Sequence, residues 1–151
     1  MYKHGMINTK FYSHWKAMKA RIKNKKHKHY KNYGGRGICI YYKWNDFLNF
    51  KMWMYESYLK ASKKYGEENI TLDRIDNNSH YNPGNCRWAT RKEQSNNMRN
   101  NHLITFRGKT MTLTEWAEKM NLTVSALDHR INRDNWSIKR ALTQSLQSRK
   151  P

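Results

Sequence analysis

The sequence predicts an α+β protein in two units joined by a short polar linker. Three observations predict it. Two segments, about 10–24 and 46–63, carry aromatic and aliphatic side chains at helical spacing. The stretch Asn69–Asn97 reads as strand, polar loop, strand and capped helix. The tail from Leu103 reads as a hairpin followed by two more capped helices. The expected boundaries are 1–98, a linker over 99–104, and a second unit over 105–151.

Composition limits what such a chain can do. Of 151 residues, 37% are hydrophobic and 27% charged, so the interior must be small. Six Trp and ten Tyr supply much of it. Thirty Lys and Arg against eleven acids give a formal net charge of +19. That excess calls for a polyanionic partner, most simply nucleic acid. Cys39 and Cys86 are too few for a disulfide framework or a four-cysteine zinc cluster, so no zinc is expected. They read as two buried thiols in a reducing cytoplasm. No apolar run reaches transmembrane length, and the basic N-terminus lacks the apolar core of a signal peptide. A cytoplasmic protein without a membrane partner is expected.

The first helix is capped by Asn8 or Thr9, and Phe11, Trp15, Met18 and Ile22 form its stripe. No acid occurs before Asp46, and the densest basic run is Asn24–Lys31. Lys25 and Lys26 there are candidate phosphate contacts. Tyr33–Gly37 (YGGRG) predicts a tight turn presenting Arg36 to phosphate, followed by a strand over Ile38–Tyr42. Asn45 is the expected cap of the second helix. Its stripe is Phe47, Phe50, Met54, Tyr58 and Ala61, widened by Trp53.

A short strand, Ile70–Leu72, then delivers Asp73. Asn77, Asn78 and Pro83-Gly84 mark a loop. Cys86–Ala89 brings the chain back, with Arg87 and Trp88 on opposite faces. Trp88 is expected to anchor the unit, and Arg87 to hold Asp76 or reach phosphate. Thr90 and Glu93 read as a capping box opening a helix to about Met98. Asp73 is a hard oxygen ligand at a strand end. Gln94 and Asn97, one turn apart, offer amide oxygens. A carboxylate with amides suits Mg²⁺, Mn²⁺ or Ca²⁺ better than zinc.

Beyond the Asn-rich connector with Arg99, Leu103–Phe106 and Thr110–Leu113 flank Arg107-Gly108-Lys109. Thr114 is expected to cap a helix that buries Trp116, Ala117 and Met120 and ends at Asn121. Thr123 caps the next, with Val124, Leu127 and Ile131 inward. That is helix-turn-helix spacing. Ser125, His129, Asn132 and Arg133 face outward as candidate DNA contacts. Trp136, Ile138, Ala141 and Leu142 complete a small core.

The middle segment resembles the ββα-metal motif of HNH endonucleases, in the form carried by small phage and mobile-element proteins. The matching residues are Asp73-Arg74-Ile75-Asp76-Asn77-Asn78, Tyr81, Pro83, Asn85-Cys86-Arg87-Trp88-Ala89-Thr90, Glu93-Gln94 and Asn96-Asn97. Tyr33–Ile38 belongs to the same group, and the resemblance covers roughly residues 10–98. The tail resembles a module common behind such nucleases, through Leu113, Glu115-Trp116-Ala117, Leu127 and Arg130-Ile131.

The resemblance implies a metal-dependent DNA endonuclease that leaves 5′-phosphate and 3′-hydroxyl ends. Mg²⁺ or Mn²⁺ would be held by Asp73 with Gln94 or Asn97. Asn85 would orient the base or support the site. The partner would be double-stranded DNA. A monomer suffices for one nick, while a double-strand cut needs a second chain or a second event. One departure matters: Arg74 stands where the family has its general-base histidine. Arginine is a poor base, so Arg74 is expected to clamp the scissile phosphate. His80 or His27 would then accept the proton. The alternative is a DNA-binding regulator on a degenerate nuclease fold.

Overall fold

A computed structural model describes residues 5–144. The chain is a mixed α+β protein with two short antiparallel strand pairs. It divides into two compact units at Asn97/Met98.

In the first unit, helix α1 spans Lys10–Lys23. Thr9 caps it, its hydroxyl accepting from the Tyr12 N–H at 3.2 Å. Phe11, Trp15 and Met18 are buried, and Ile22 packs at the core edge. Helix α2 spans Phe47–Tyr65 and buries Phe47, Phe50, Met54 and Tyr58. Its cap is Asp46 rather than Asn45, because the Asp46 carboxylate accepts from the Asn49 N–H. Asn45 instead ends a 3-10 turn, Tyr42–Asn45, and accepts from Lys23 Nζ at 2.6 Å. Trp53 does not widen the buried stripe; it is 51% exposed. Phe11 is the hub between the helices. Its ring lies 5.2 Å from Phe50, 5.0 Å from Tyr58 and 5.7 Å from Trp88. Such rings bring large burial and directional packing together.

The glycine turn forms two consecutive 3-10 turns, Tyr30–Asn32 and Gly34–Arg36. A Cβ on Gly34 would lie 2.1 Å from the Ile22 carbonyl oxygen, so only glycine lets this turn lie against α1. The predicted strand over 38–42 does not form. Ile40 makes a single parallel bridge to Tyr81, and the chain turns away at Tyr42. The partner it would need is a loop, not a strand. The two thiols also differ from expectation: Cys86 is buried and Cys39 exposed, both free.

Strands β1 (Ile70–Arg74) and β2 (Cys86–Thr90) pair antiparallel, with Asp73 opposite Arg87. Helix α3, Arg91–Asn96, follows directly. Its capping box is complete, with Thr90 and Glu93 each bonding the other's backbone N–H. The helix ends short of the expected Met98, because the Asn97 N–H already turns back to Glu93 and Gln94. Trp88 anchors the pair to α2, its indole N–H donating to the Met54 carbonyl at 3.1 Å.

The second unit starts with β3, Leu103–Phe106, and β4, Lys109–Thr112. Arg107 (φ 49°) and Gly108 (φ 72°) make the two-residue turn between them. Helix α4, Leu113–Lys119, is capped by Thr112 with Glu115, rather than by the expected Thr114, which lies inside its first turn. Asn121, at φ 55°, carries the turn. Helix α5, Val124–Asp128, is capped by Thr123 and runs on as a π-helical turn, His129–Arg133. Helix α6, Ile138–Thr143, closes the unit. Ile104, Trp116, Ala117, Leu127, Ala141 and Leu142 form its core. Val124 lies outside it, 41% exposed. No helix among the described residues is long and apolar enough to cross a membrane.

Candidate functional site

The site forms where β1, β2 and α3 meet. Asp73, only 6% exposed, sits near the end of β1. One of its oxygens, Oδ2, takes every donor. Arg87, across the strand pair, gives Nε and Nη2, both at 3.3 Å. Asn97, just past α3, gives Nδ2 at 3.1 Å. Among the described residues, no donor reaches Oδ1. Asn97 also donates to the Arg74 carbonyl at 2.6 Å. That second bond fixes the amide with its nitrogen toward Asp73. Asn97 therefore meets Asp73 through its amide nitrogen, as a donor. Gln94 is half-buried on α3.

The sequence pattern points Arg87 at Asp76 or a phosphate. It holds Asp73 instead, because the strand register places the two directly opposite each other. Asp76 has local partners: its carboxylate accepts from the Asn78 N–H at 2.8 Å.

Asn85 is the clamp of the loop. It accepts from the Asp76 N–H at 2.8 Å and donates to the Asp76 and His80 carbonyls at 3.0 and 2.9 Å. All three bonds shape the loop, so its role is supporting. Arg36 acts from the other side. It donates to the Asn78 side chain at 2.8 Å and the Asn77 carbonyl at 3.3 Å. It staples the glycine turn to the loop instead of standing free for phosphate.

Arg74 does not present its charge outward. It is 4% exposed. Its guanidinium carbon lies 5.0 Å from the ring centres of both Tyr33 and Tyr81, and Nη1 donates to the Ser79 carbonyl at 2.9 Å. A buried cation needs such partners: π faces and a carbonyl offset its lost hydration. The expected phosphate clamp is thus a pin between loop and glycine turn. Arg21 lies on Tyr33 as well, 5.2 Å from the ring centre. Burial pushes the Tyr81 hydroxyl up to about 12. The paired tyrosines, Tyr33 in YGG and Tyr81 in the loop, are visible in the sequence as motif residues, but their joint hold on Arg74 is not.

The two candidate bases fare differently from expectation. His80 Nδ1 accepts from the Cys39 N–H at 3.1 Å. The neutral ring then carries its proton on Nε2 and offers a donor, not a lone pair. His27 Nδ1 accepts from the His29 N–H at 3.2 Å, and its ring lies 5.7 Å from that of His29. These contacts stay within its own turn, and none joins it to Asp73. A further histidine belongs to the core rim rather than to any motif. His14 on α1 lies half-buried, 5.3 Å from the Trp88 ring, and burial first, then Arg21, holds it below its usual range.

The basic surface of the first unit is uneven. Lys19 lies over the Trp15 ring at 4.2 Å and donates to the Asn45 carbonyl. Lys23 is bound to Asn45 too. Lys25 and Lys26 are exposed. In the second unit Arg99, Ser125, His129, Asn132 and Arg133 are all exposed. Asn132 donates to Asp128 at 2.7 Å, and Arg133 meets His129 Nε2 at 3.3 Å.

Among the described residues, no cluster of three or more His, Cys, Asp or Glu side chains is placed to share a metal. Of the ligands expected from the sequence, Asp73 keeps Oδ1 without a donor, and Gln94 lies half-buried on the helix that follows β2. That donor set fits a weakly held hard cation that takes further oxygens from water and phosphate, as Mg²⁺ does. Comparison with family models, curated proteins and solved structures finds no match to this chain.

Proposed function

We propose that the protein is a divalent-metal-dependent endonuclease acting on double-stranded DNA, with Asp73 at its centre. The observation that carries this reading is the Asp73 carboxylate. It is nearly buried at the strand–helix junction, held through one oxygen, and uncommitted at the other. Oδ1 is not among the buried polar atoms left without a partner, so it faces space that a cation could reach. The net charge of +19 supports a polyanionic substrate.

In this reading Asp73 Oδ1 and Gln94 would hold the ion, Mg²⁺ or Mn²⁺. The ion would supply electrostatic stabilisation of the charge that builds on the scissile phosphate. Asn97 keeps the Asp73 carboxylate oriented. Arg74 and Asn85 hold the loop beside it. His80, with its N–H at Nε2, is suited to donate a hydrogen bond to a phosphate oxygen. With no histidine lone pair placed beside Asp73 among the described residues, the attacking water gives its proton to solvent, and the rate rises with pH. Lys25 and Lys26 contribute sequence-independent affinity. The outward residues of α5 and the turn after it, Ser125, His129, Asn132 and Arg133, supply the address.

A second reading is a DNA-binding regulator that does not cut. The inward turn of Arg74 favours it, since neither a base nor a phosphate clamp stands at that position. Incubation of supercoiled plasmid with Mg²⁺ or Mn²⁺ separates the two. Nicked circles with 5′-phosphate ends that vanish in D73A support the nuclease. Tight duplex binding without nicking under either metal supports the regulator.

A further inference from the structure

We infer that Arg87 is a tethered counter-ion that occupies the Asp73 site in the free protein and is drawn off by DNA phosphate. The inference rests on the proposed metal site and adds its regulation. Asp73 is 6% exposed and would lie uncompensated at the strand end without a cationic partner. Arg87 provides that partner through two N–H groups, each at 3.3 Å. The distances are long for a charge-assisted pair, whose usual range ends near about 2.9 Å. The Arg87 side chain is 42% exposed, while that of Asp73 is 6% exposed. One partner is therefore enclosed by the fold, and the other reaches solvent.

Both Arg87 bonds fall on Oδ2, the oxygen that also takes Asn97. When Arg87 leaves, the Asn97 bond remains and keeps the carboxylate in place. The charge it leaves behind is a full anion beside an uncommitted Oδ1, which is the state that attracts a divalent cation. A guanidinium is also well shaped to take two phosphate oxygens. DNA then does two things at once: it removes the competing cation and supplies oxygens to the shell. By linkage, the coupling runs both ways, so bound metal frees Arg87 for phosphate. The consequence is a site that binds metal poorly without DNA.

The test is Mn²⁺ binding to full-length protein without DNA, read from the free-ion paramagnetic resonance signal. Wild type, R87Q, R87K, D73N and the R87Q/D73N double variant are compared. R87Q should bind Mn²⁺ about tenfold more tightly than wild type, within the usual range of site-to-site coupling. R87K keeps a cation and should stay near wild type. D73N should abolish the gain in the double variant. Equal or weaker binding by R87Q overturns the inference, as does a gain that persists in R87Q/D73N. Plasmid nicking by wild type keeps the two questions apart. Nicking with no gain in R87Q removes the counter-ion role and leaves the nuclease standing. An Asp73-dependent gain with no nicking leaves the counter-ion role and removes the nuclease.

Discussion

At the scale of residues, the chemistry turns on where charges are placed. Arg74 sits in the interior, and its removal would strip the Ser79 carbonyl and two tyrosine faces of their partner. R74A should therefore cost about 2 kcal/mol in urea unfolding, the usual penalty for orphaning a buried polar group. An unchanged midpoint would place Arg74 outside the fold's support. His14 gives a pH signature. Its folded value is depressed, so the unfolded chain binds the proton more readily. Its stabilising contribution is present above the ordinary value of 6.5 and is lost as pH falls through the depressed range. Urea midpoints should fall as pH drops below 6.5, and H14Q should flatten that fall. Little of this is legible in the sequence. The inward turn of Arg74 is not legible there, because a charged residue beside a motif does not reveal which way it turns. The Arg87–Asp73 pair depends on strand register, which the loop over 75–85 does not fix in advance.

At the scale of elements, local chemistry is readable where it is self-contained. The Thr90–Glu93 box and the Thr9 and Thr123 caps lie within four residues of their partners, so nothing distant decides them. The stripes of α1 and α2 are readable because a period of about 3.6 residues needs no knowledge of the partner. The Ile38–Tyr42 strand fails for the opposite reason: β-type residues still need an edge to pair with. The neighbouring Asp46 takes the α2 cap, since Asn45 is already engaged by Lys23. The α3 cap also reaches the site. T90A should cost about 1 kcal/mol and weaken the turn that delivers Asn97 to Asp73. Urea unfolding measures the first effect. Cleavage that falls more than binding would show the second, and equal loss of both would deny it.

At the scale of the molecule, each unit has its own core: one around Phe11, Phe50 and Trp88, the other around Trp116 and Leu127. The chain divides at Asn97/Met98, and β3 begins at Leu103, inside the linker over 99–104 that the sequence suggests. A fragment ending at Asn97 should retain duplex binding with reduced sequence preference, measured by competition between target and random DNA. Undiminished preference would move recognition into the first unit. Within the full chain, replacing Lys25 and Lys26 by Gln should lower the salt slope of binding by roughly 0.9 for each phosphate that is no longer neutralised. The proposed nuclease stands or falls on Asp73 as the holder of the cation. The most direct measurement is the anomalous scattering of Mn²⁺ in a crystal of the protein bound to duplex DNA. The expected result is a peak about 2.1 Å from Asp73 Oδ1, with Arg87 moved to a phosphate. A peak on another carboxylate, or none beside Asp73, would contradict it.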